Sequence, residues 1–357
     1  MTEFENVTVI VPSYNPDEKL RATVAGLADA GFSDIIVVDD GSVPEKKRNF
    51  PEEGGGVTLL RHEVNRGKGA GLKTAFAYIL ENRPDAVGCV TVDGDGQHRP
   101  SDVASCVREM LANPSCVVLG ARDFSLPGVP ARSRKGNRIT CNVFRLLFGM
   151  KLSDTQTGLR CIPRSLLGDF IGVKGDRYEY ETNMLLEMKR AQIPFREVKI
   201  ETVYINDNET SHFRPVRDSI RIYGLIFAFA LSSVLCAAVD IGLFTLFNFL
   251  FARWGLKYDY FFAVAAARII SSAVNYAVNR KAVFGRGDGA SVVRYYTLAA
   301  GLLVTSGILG TAITKLIPVD WGWLDTVIKT AVDLLLFAVS FRIQNDWVFK
   351  TKKGDHR

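Results

Sequence analysis

The stretch AVGCVTVDGDGQHRP, Ala86 to Pro100, begins as an apolar run and ends in a loop that sets two carboxylates and an amide at every second position. A short run of this kind, with β-branched residues and closed by glycines, reads as a strand buried on both faces. Asp93, Asp95 and Gln97 then stand at its carboxyl end. The same grammar recurs in VTVIVPSY (Val7 to Tyr14), DIIVVDD (Asp34 to Asp40), VTLLRH (Val57 to His62) and CVVLGAR (Cys116 to Arg122). Between these runs lie amphipathic segments such as Asp17 to Ala30, Gly71 to Leu80 and Pro100 to Leu111. Apolar strands alternating with helices predict an α/β domain with a mostly parallel, doubly wound sheet. In such sheets ligands bind at the carboxyl ends of the strands. The loops PSYNPDE, DDGS and VDGDGQH should therefore gather at one edge.

The 357-residue chain changes character along its length. Charged and apolar residues are interleaved to about Tyr223, whereas apolar runs dominate from Gly224 to about Phe349. The first part reads as a water-soluble domain over 1–204, with a further strand at Phe195 to Tyr204, followed by a basic juxtamembrane linker over 205–223. Four spans are expected at about 224–250, 260–280, 296–317 and 324–344, near the roughly 20 residues a bilayer crossing needs. A basic tail, 350–357, closes the chain. Arg214, Arg217 and Arg221, then Arg280, Lys281, Arg286 and Arg294, then the tail carry most of the flanking positive charge. The positive-inside rule thus places both termini and the first domain in the cytoplasm of a multi-pass (inner) membrane protein. VNRKAVF (Val278 to Phe284) also echoes IQNDWVF (Ile343 to Phe349), as a duplicated two-helix unit would.

A net charge of +6 is compatible with nucleic acid, but Lys and Arg are scattered and no RNA-binding signature or zinc-finger spacing occurs. The composition fits anionic lipid or phosphate-bearing ligands and excludes nucleic acid as the expected partner. The six cysteines form no C-x-x-C pair and read as buried free thiols. Met1 to Val7 has no basic n-region of a signal peptide.

Taken alone, Asp93-x-Asp95-x-Gln97 has two standing readings. It fails as an EF-hand, because His98 stands where Gly is needed and Ala104 where a bidentate Glu is needed. It remains either a polar turn or a site of hard oxygen ligands for Mg2+ or Mn2+. The stretch Asn65 to Thr74, NRGKGAGLKT, fails the P-loop pattern because Leu72 stands where Gly must precede the Lys. What is left is Arg66 and Lys68 leading into a helix, either an anion site or a solvated basic turn.

The ordered set PSYNPDE, VVDDGS, NRGKGAGLKTAF, VDGDGQH and DTQTGLR (Asp154 to Arg160) resembles the motif series of family 2 glycosyltransferases. The similarity is greatest to the branch that loads a sugar onto a polyprenyl phosphate, as dolichyl-phosphate mannose synthases do. The apolar half, with RIISSAVNYAVNRKAVF (Arg268 to Phe284) and SFRIQNDWVF (Ser340 to Phe349), is similar to GtrA-like four-span proteins. The resemblance implies a Rossmann-like GT-A catalytic domain ahead of an all-α membrane domain. It implies that Pro12, Tyr14, Asp39, Asp40 and Lys68 line a nucleotide pocket with Asp93, for a UDP- or GDP-hexose. It implies that Asp93, Asp95 and Gln97 hold Mg2+ or Mn2+, that Arg122 and Arg134 neutralise phosphates, and that Asp154 stands where a base is often placed. Pro16 replaces the family's usual acidic residue, leaving Asp17 or Glu18 to substitute from the next turn.

Ser211 to Arg217 precedes the first span, and reads either as a basic patch on anionic lipid or as a clamp in which Arg214 and Arg217, with Arg134, hold the acceptor lipid phosphate. Asp240 and Arg268 fall inside apolar spans and form a candidate inter-helical pair, either structural or a headgroup site. Lys329 and Asp333, four residues apart, are placed to neutralise one another. The expected activity is metal-dependent, inverting transfer of a hexose to an undecaprenyl-phosphate-like lipid for cell-surface glycan modification. A lipid-linked sugar flippase or anchoring protein is one rival. A processive polysaccharide synthase is another, although the Q-x-x-R-W run of such enzymes is absent. A homo-oligomer is compatible with all of these.

Overall fold

In the computed structural model, residues 3–126, 129–201, 224–254, 259–284, 287–316 and 324–349 are described. The linker with Arg214 and Arg217, the basic tail, and the side chains of Lys329 and Asp333 lie outside the described residues. The chain divides into two compact units, one of 1–145 and 149–222, the other of 146–148 and 223–357.

The first unit is built on a seven-stranded sheet in the order β3-β2-β1-β4-β6-β5-β7. The strands are β1 (Val7–Ser13), β2 (Ile35–Asp39), β3 (Val57–Arg61), β4 (Gly88–Thr91), β5 (Val117–Arg122), β6 (Arg160–Pro163) and β7 (Phe195–Ile200). All pairings are parallel except those of β6, which runs antiparallel to both β4 and β5. The expected strands are present, so the mostly parallel α/β reading holds. The inserted β6 was not foreseen: RCIP is four residues long and begins with an arginine, which reads as loop.

Period-two burial explains the layers. Val9, Val11, Val37 and Val90 pack on one face with Leu20, Val24 and Leu27 of α1 (Lys19–Asp29) and with Val103, Val107 and Met110 of α3 (Pro100–Ala112). On α2 (Lys68–Asn82), Leu72, Ala75, Phe76 and Ile79 are buried, and this helix packs against β1 and β2. Four helices complete the unit's connections or flank: α4 (Ala131–Val143), α5 (Arg164–Ile171) and α6 (Glu179–Ala191), with α3 covering β5 and β6. Cys89, Cys106 and Cys161 are buried free thiols.

The strand order reverses between β2-β1 and β4-β6, which makes the carboxyl ends of β1 and β4 the two sides of a switch-point crevice. The turn after β2 depends on Gly41, whose φ is +72° and where a Cβ would come within 2.3 Å of the Val64 carbonyl carbon. Only glycine fits that left-handed, crowded position.

The second unit is helical: α7 (Gly224–Arg253), α8 (Asp259–Val278), α9 (Ser291–Leu316) and α10 (Leu324–Ile343). These helices fall where the four apolar spans are expected. Phe227–Arg253, 27 residues with a mean hydropathy of 2.1, is the one helix among the described residues long and apolar enough to cross a membrane by that measure. Both α8 and α10 end in a π turn, Asn279–Val283 and Gln344–Val348. Asn279 Nδ2 donates to Gln344 Oε1 at 3.1 Å, and the Phe284 and Phe349 rings stack with centroids 5.0 Å apart. The two echoing sequences therefore share a rare backbone form and face one another through equivalent residues.

Candidate functional site

β1 delivers Pro12 and Ser13 to the crevice, with Tyr14 just beyond the strand and partly exposed. Asn15 follows with a φ of 49°; its N–H donates to Ser42 Oγ at 2.9 Å and its Oδ1 accepts from the Val43 N–H at 3.0 Å. These bonds tie the first motif loop to the second. Asp17 accepts from the Lys19 N–H at 3.0 Å, so it braces the entry to α1.

At the end of β2 both carboxylates are buried. Asp39 Oδ1 accepts from the Ser42 N–H at 2.8 Å. Asp40 accepts from the N–H groups of Arg66 and Gly67 at 2.9 and 2.7 Å, and its Oδ1 meets His62 Nδ1 at 2.7 Å. His62 Nε2 in turn lies 3.0 Å from Thr74 Oγ1. The glycine-rich stretch is thus folded around Asp40. Two of its amides are spent on that carboxylate and the Ala70 N–H donates to the Asp176 carbonyl at 2.9 Å. Protein oxygens thus occupy the amides of Arg66, Gly67 and Ala70 at this helix entrance.

What the turn does present is Lys68. Its ammonium lies 2.7 Å from Asp93 Oδ1 and 2.9 Å from Glu181 Oε1. Burial opposes the charge on Lys68, but the two carboxylates outweigh it and hold its pKa above the usual lysine range. Burial likewise opposes charge on Asp93, yet Lys68 and His98 more than offset it and hold the carboxyl below the usual carboxylate range. Asp95 goes the other way: burial and then the neighbouring Asp93 charge push its pKa up. Its Oδ1 accepts from the Gln97 N–H at 3.0 Å, which curls the loop so that positions 93, 95 and 97 share one turn. His98 is buried beneath it, with Nε2 3.5 Å from Asp93 Oδ2.

On the β5 side, Arg122 Nε donates to Asp154 Oδ2 at 2.7 Å and Nη2 to Oδ1 at 3.2 Å, a two-point pair on a carboxylate with no exposed surface. Asp154 also accepts from the Gln156 N–H at 2.9 Å. Arg134, in the first turn of α4, donates to the carbonyls of Leu126 and Val129. In the helical unit, Arg268 Nη2 lies 3.5 Å from Asp240 Oδ2, and Ser271 Oγ donates to Asp240 Oδ1 at 2.6 Å. The inter-helical pair therefore exists, although the Arg268 side chain is 74% exposed.

Three participants went unforeseen. Glu181 sits in the first turn of α6, in a run that reads as an ordinary helix face. Gly158 lies so close to Asp93 that a Cβ there would come within 2.3 Å of Oδ2. Arg160 is fully buried in β6, donating from Nε to the Thr157 carbonyl and from Nη1 to the Glu181 carbonyl at 2.6 Å. In sequence it carries no signal, because RCIP reads as loop and a loop arginine needs no buried acceptors.

The donor set at Asp93, Asp95 and Gln97 suits a hard divalent cation: two carboxylates and an amide oxygen, with the Asp95 carboxyl destabilised beside Asp93, a repulsion such an ion relieves. The motif loops and the carboxylates gather at the carboxyl ends of β1 and β4, and Lys68 supplies positive charge there.

Two family models match the chain, one in each half. The model of glycosyl transferase family 2 matches residues 8–169, and that of the GtrA/DPMS transmembrane domain matches residues 228–355. An uncharacterized protein of Methanocaldococcus jannaschii is 32% identical over 204 residues, 56% of this chain and 82% of its own. The UDP-N-acetylglucosamine–dolichyl-phosphate N-acetylglucosaminyltransferase of Methanococcus voltae is 28% identical over 217 residues, 56% and 86% of the two chains. The undecaprenyl-phosphate mannosyltransferase of Micrococcus luteus is 27% identical over 209 residues, 55% and 83%. Among solved structures, glucosyl-3-phosphoglycerate synthase of Mycobacterium tuberculosis aligns with a TM-score of 0.47 at 15% identity, over 63% of this chain and 78% of that one.

Proposed function

This chain belongs to glycosyl transferase family 2, with a GtrA/DPMS transmembrane domain following its catalytic unit, and from that premise we propose that it transfers a hexose from a nucleotide sugar to a polyprenyl phosphate at the cytoplasmic face of the membrane. The observation that carries the proposal is the meeting of Lys68, Asp93 and Asp95 at the switch point of the sheet. The relatives named for dolichyl- and undecaprenyl-phosphate acceptors support the choice of lipid, as does the membrane domain itself.

In this reading Pro12, Tyr14, Asp17, Asp39 and Asp40 shape or line the nucleotide pocket, with Asp39 and Asp40 holding the loops that form its walls. Asp93, Asp95 and Gln97 hold Mg2+ or Mn2+, which when bound neutralises the departing diphosphate. Lys68 and Arg134 add positive charge near the phosphates. An oxygen of the acceptor phosphate attacks the anomeric carbon as the bond to the nucleoside diphosphate breaks on the opposite face, so the configuration inverts. The products are the lipid phosphosugar and the nucleoside diphosphate. A phosphate monoester is already largely ionised near neutral pH, with a second pKa of about 6. The attack therefore does not need a strong base, and Asp154 serves by holding Arg122. Arg214 and Arg217 hold the lipid phosphate beside the bilayer, four spans anchor the unit, and both termini are cytoplasmic. Asp240 and Arg268 stabilise the packing of α7 on α8.

The purified chain in lipid nanodiscs, given radiolabelled UDP- or GDP-hexoses, undecaprenyl phosphate and Mn2+, should yield label extractable into organic solvent. EDTA should abolish it. Label confined to the aqueous phase, or found in a polymer, overturns the proposal.

A further inference from the structure

Lys68 lies between two carboxylates that come from different parts of the fold. Asp93 lies in the loop just after β4, and Glu181 belongs to α6; the Lys68 and Glu181 side chains are only 18% and 14% exposed. Glu181 is fixed from behind, because its carbonyl accepts the Arg160 guanidinium and Arg160 is itself tied to the Thr157 carbonyl. Asp93 is fixed as well. Its Oδ2 is enclosed by the Gly158 backbone and faces the buried His98 ring. Its Oδ1 is the oxygen in contact with the Lys68 ammonium at 2.7 Å. A divalent cation and an ammonium attracted to the same oxygen repel one another, and in a half-buried setting that repulsion is only weakly screened. Glu181 offers Lys68 a second ion-pair partner at 2.9 Å, already in place and needing no rearrangement.

We infer that Lys68 is a displaceable counter-ion of Asp93 and that Glu181 is its second seat. Uptake of a divalent cation by Asp93 and Asp95 leaves Glu181 as the partner of the ammonium, so Glu181, without touching the ion, sets how tightly the site binds it. Glu181 is a positioning residue acting through Lys68. The inference rests on the reading of Asp93, Asp95 and Gln97 as a cation site.

The test is a titration of the full-length protein with Mn2+ in the absence of sugar nucleotide, read by loss of the free-ion electron paramagnetic resonance signal. Lys68→Met should bind Mn2+ about tenfold more tightly than the unaltered protein, because the competitor is gone. Lys68→Gln, which keeps a donor between the carboxylates, should shift the same way and guards against misfolding of the first variant. Glu181→Gln should weaken Mn2+ binding by about threefold or more, because Lys68 then has Asp93 alone. In the Lys68→Met background Glu181→Gln should have no effect. Unchanged or weaker binding in both Lys68 variants overturns the inference. So does a loss on Glu181→Gln that persists without Lys68, since Glu181 then acts on the ion directly. Failure of the unaltered protein to bind Mn2+ sinks the cation site and this inference together, whereas binding that no variant alters sinks the inference alone.

Discussion

Asp154 and Asp93 each meet a basic side chain at 2.7 Å, yet the two pairs differ in everything around that distance. Asp154 has no exposed surface, gives both oxygens to Arg122, and accepts a backbone N–H as well. Asp93 keeps 30% of its side chain exposed, shares Lys68 with Glu181, and lies two residues from Asp95, a second carboxylate with a raised pKa. The first pair is closed and uses its charge up internally. The second is open, with more negative charge than the ammonium neutralises. A carboxylate with every acceptor position satisfied contributes to the fold, whereas a surplus of carboxylate at a strand end creates demand for a cation.

The largest effect should come from the open side. Asp95→Ala removes the carboxylate least satisfied by the protein and should lower turnover by about 10³-fold. The loss should persist at saturating Mg2+ or Mn2+, while the melting temperature stays unchanged. Steady-state assays alongside thermal unfolding measure both. A large drop in melting temperature on Asp95→Ala would put Asp95 in the same class as Asp154 and remove the contrast.

The open pair was the more legible of the two, and the reason is local. Asp93, Asp95 and Gln97 follow one another on one turn, so spacing exposes them. Lys68 belongs to a glycine-rich stretch that invites attention. Glu181 is different: it meets Lys68 across 113 residues of chain, and nothing in EYETNMLLEMKRA separates it from a helical surface residue. For Asp40 the resemblance implies a place in the nucleotide pocket, and the folded chain adds how it is held there: His62 and two amides take up its carboxylate. The parallel part of the sheet was readable from continuous β-branched runs, while β6 was hidden because a buried arginine breaks that pattern. In the helical unit, the echo between Val278 to Phe284 and Ile343 to Phe349 was visible as letters. That both segments are π turns joined by Asn279 and Gln344 depends on tertiary packing.

A smaller effect sharpens the same contrast from the backbone. Asp93 is held in position partly because residue 158 has no side chain. Gly158→Ala would force Oδ2 of Asp93, or the strand behind it, to move. A shift of this kind next to reacting groups costs about 10²-fold. The expected outcome is that loss in turnover together with weaker Mn2+ binding, checked by assay and by the same titration. If Gly158→Ala leaves both intact, Asp93 is not held rigidly and its orientation is set by Lys68 alone.

The smallest effect on turnover, and the largest on stability, should come from Asp154→Asn. The amide retains an acceptor for Arg122 and for the Gln156 N–H but removes the negative charge that a half-buried guanidinium faces. Breaking such a pair costs about 2 kcal/mol once the partial exposure of Arg122 is allowed for. For a unit of this size that is roughly 4–8 °C in melting temperature. Turnover should fall by about tenfold or less, because the acceptor phosphate is already ionised and Arg122 stays near its place. Differential scanning fluorimetry and initial rates at saturating substrates separate the two quantities. An unchanged melting temperature combined with a loss as deep as that of Asp95→Ala would mean that Asp154 acts on the reacting groups as a base and that its pairing with Arg122 opens during turnover.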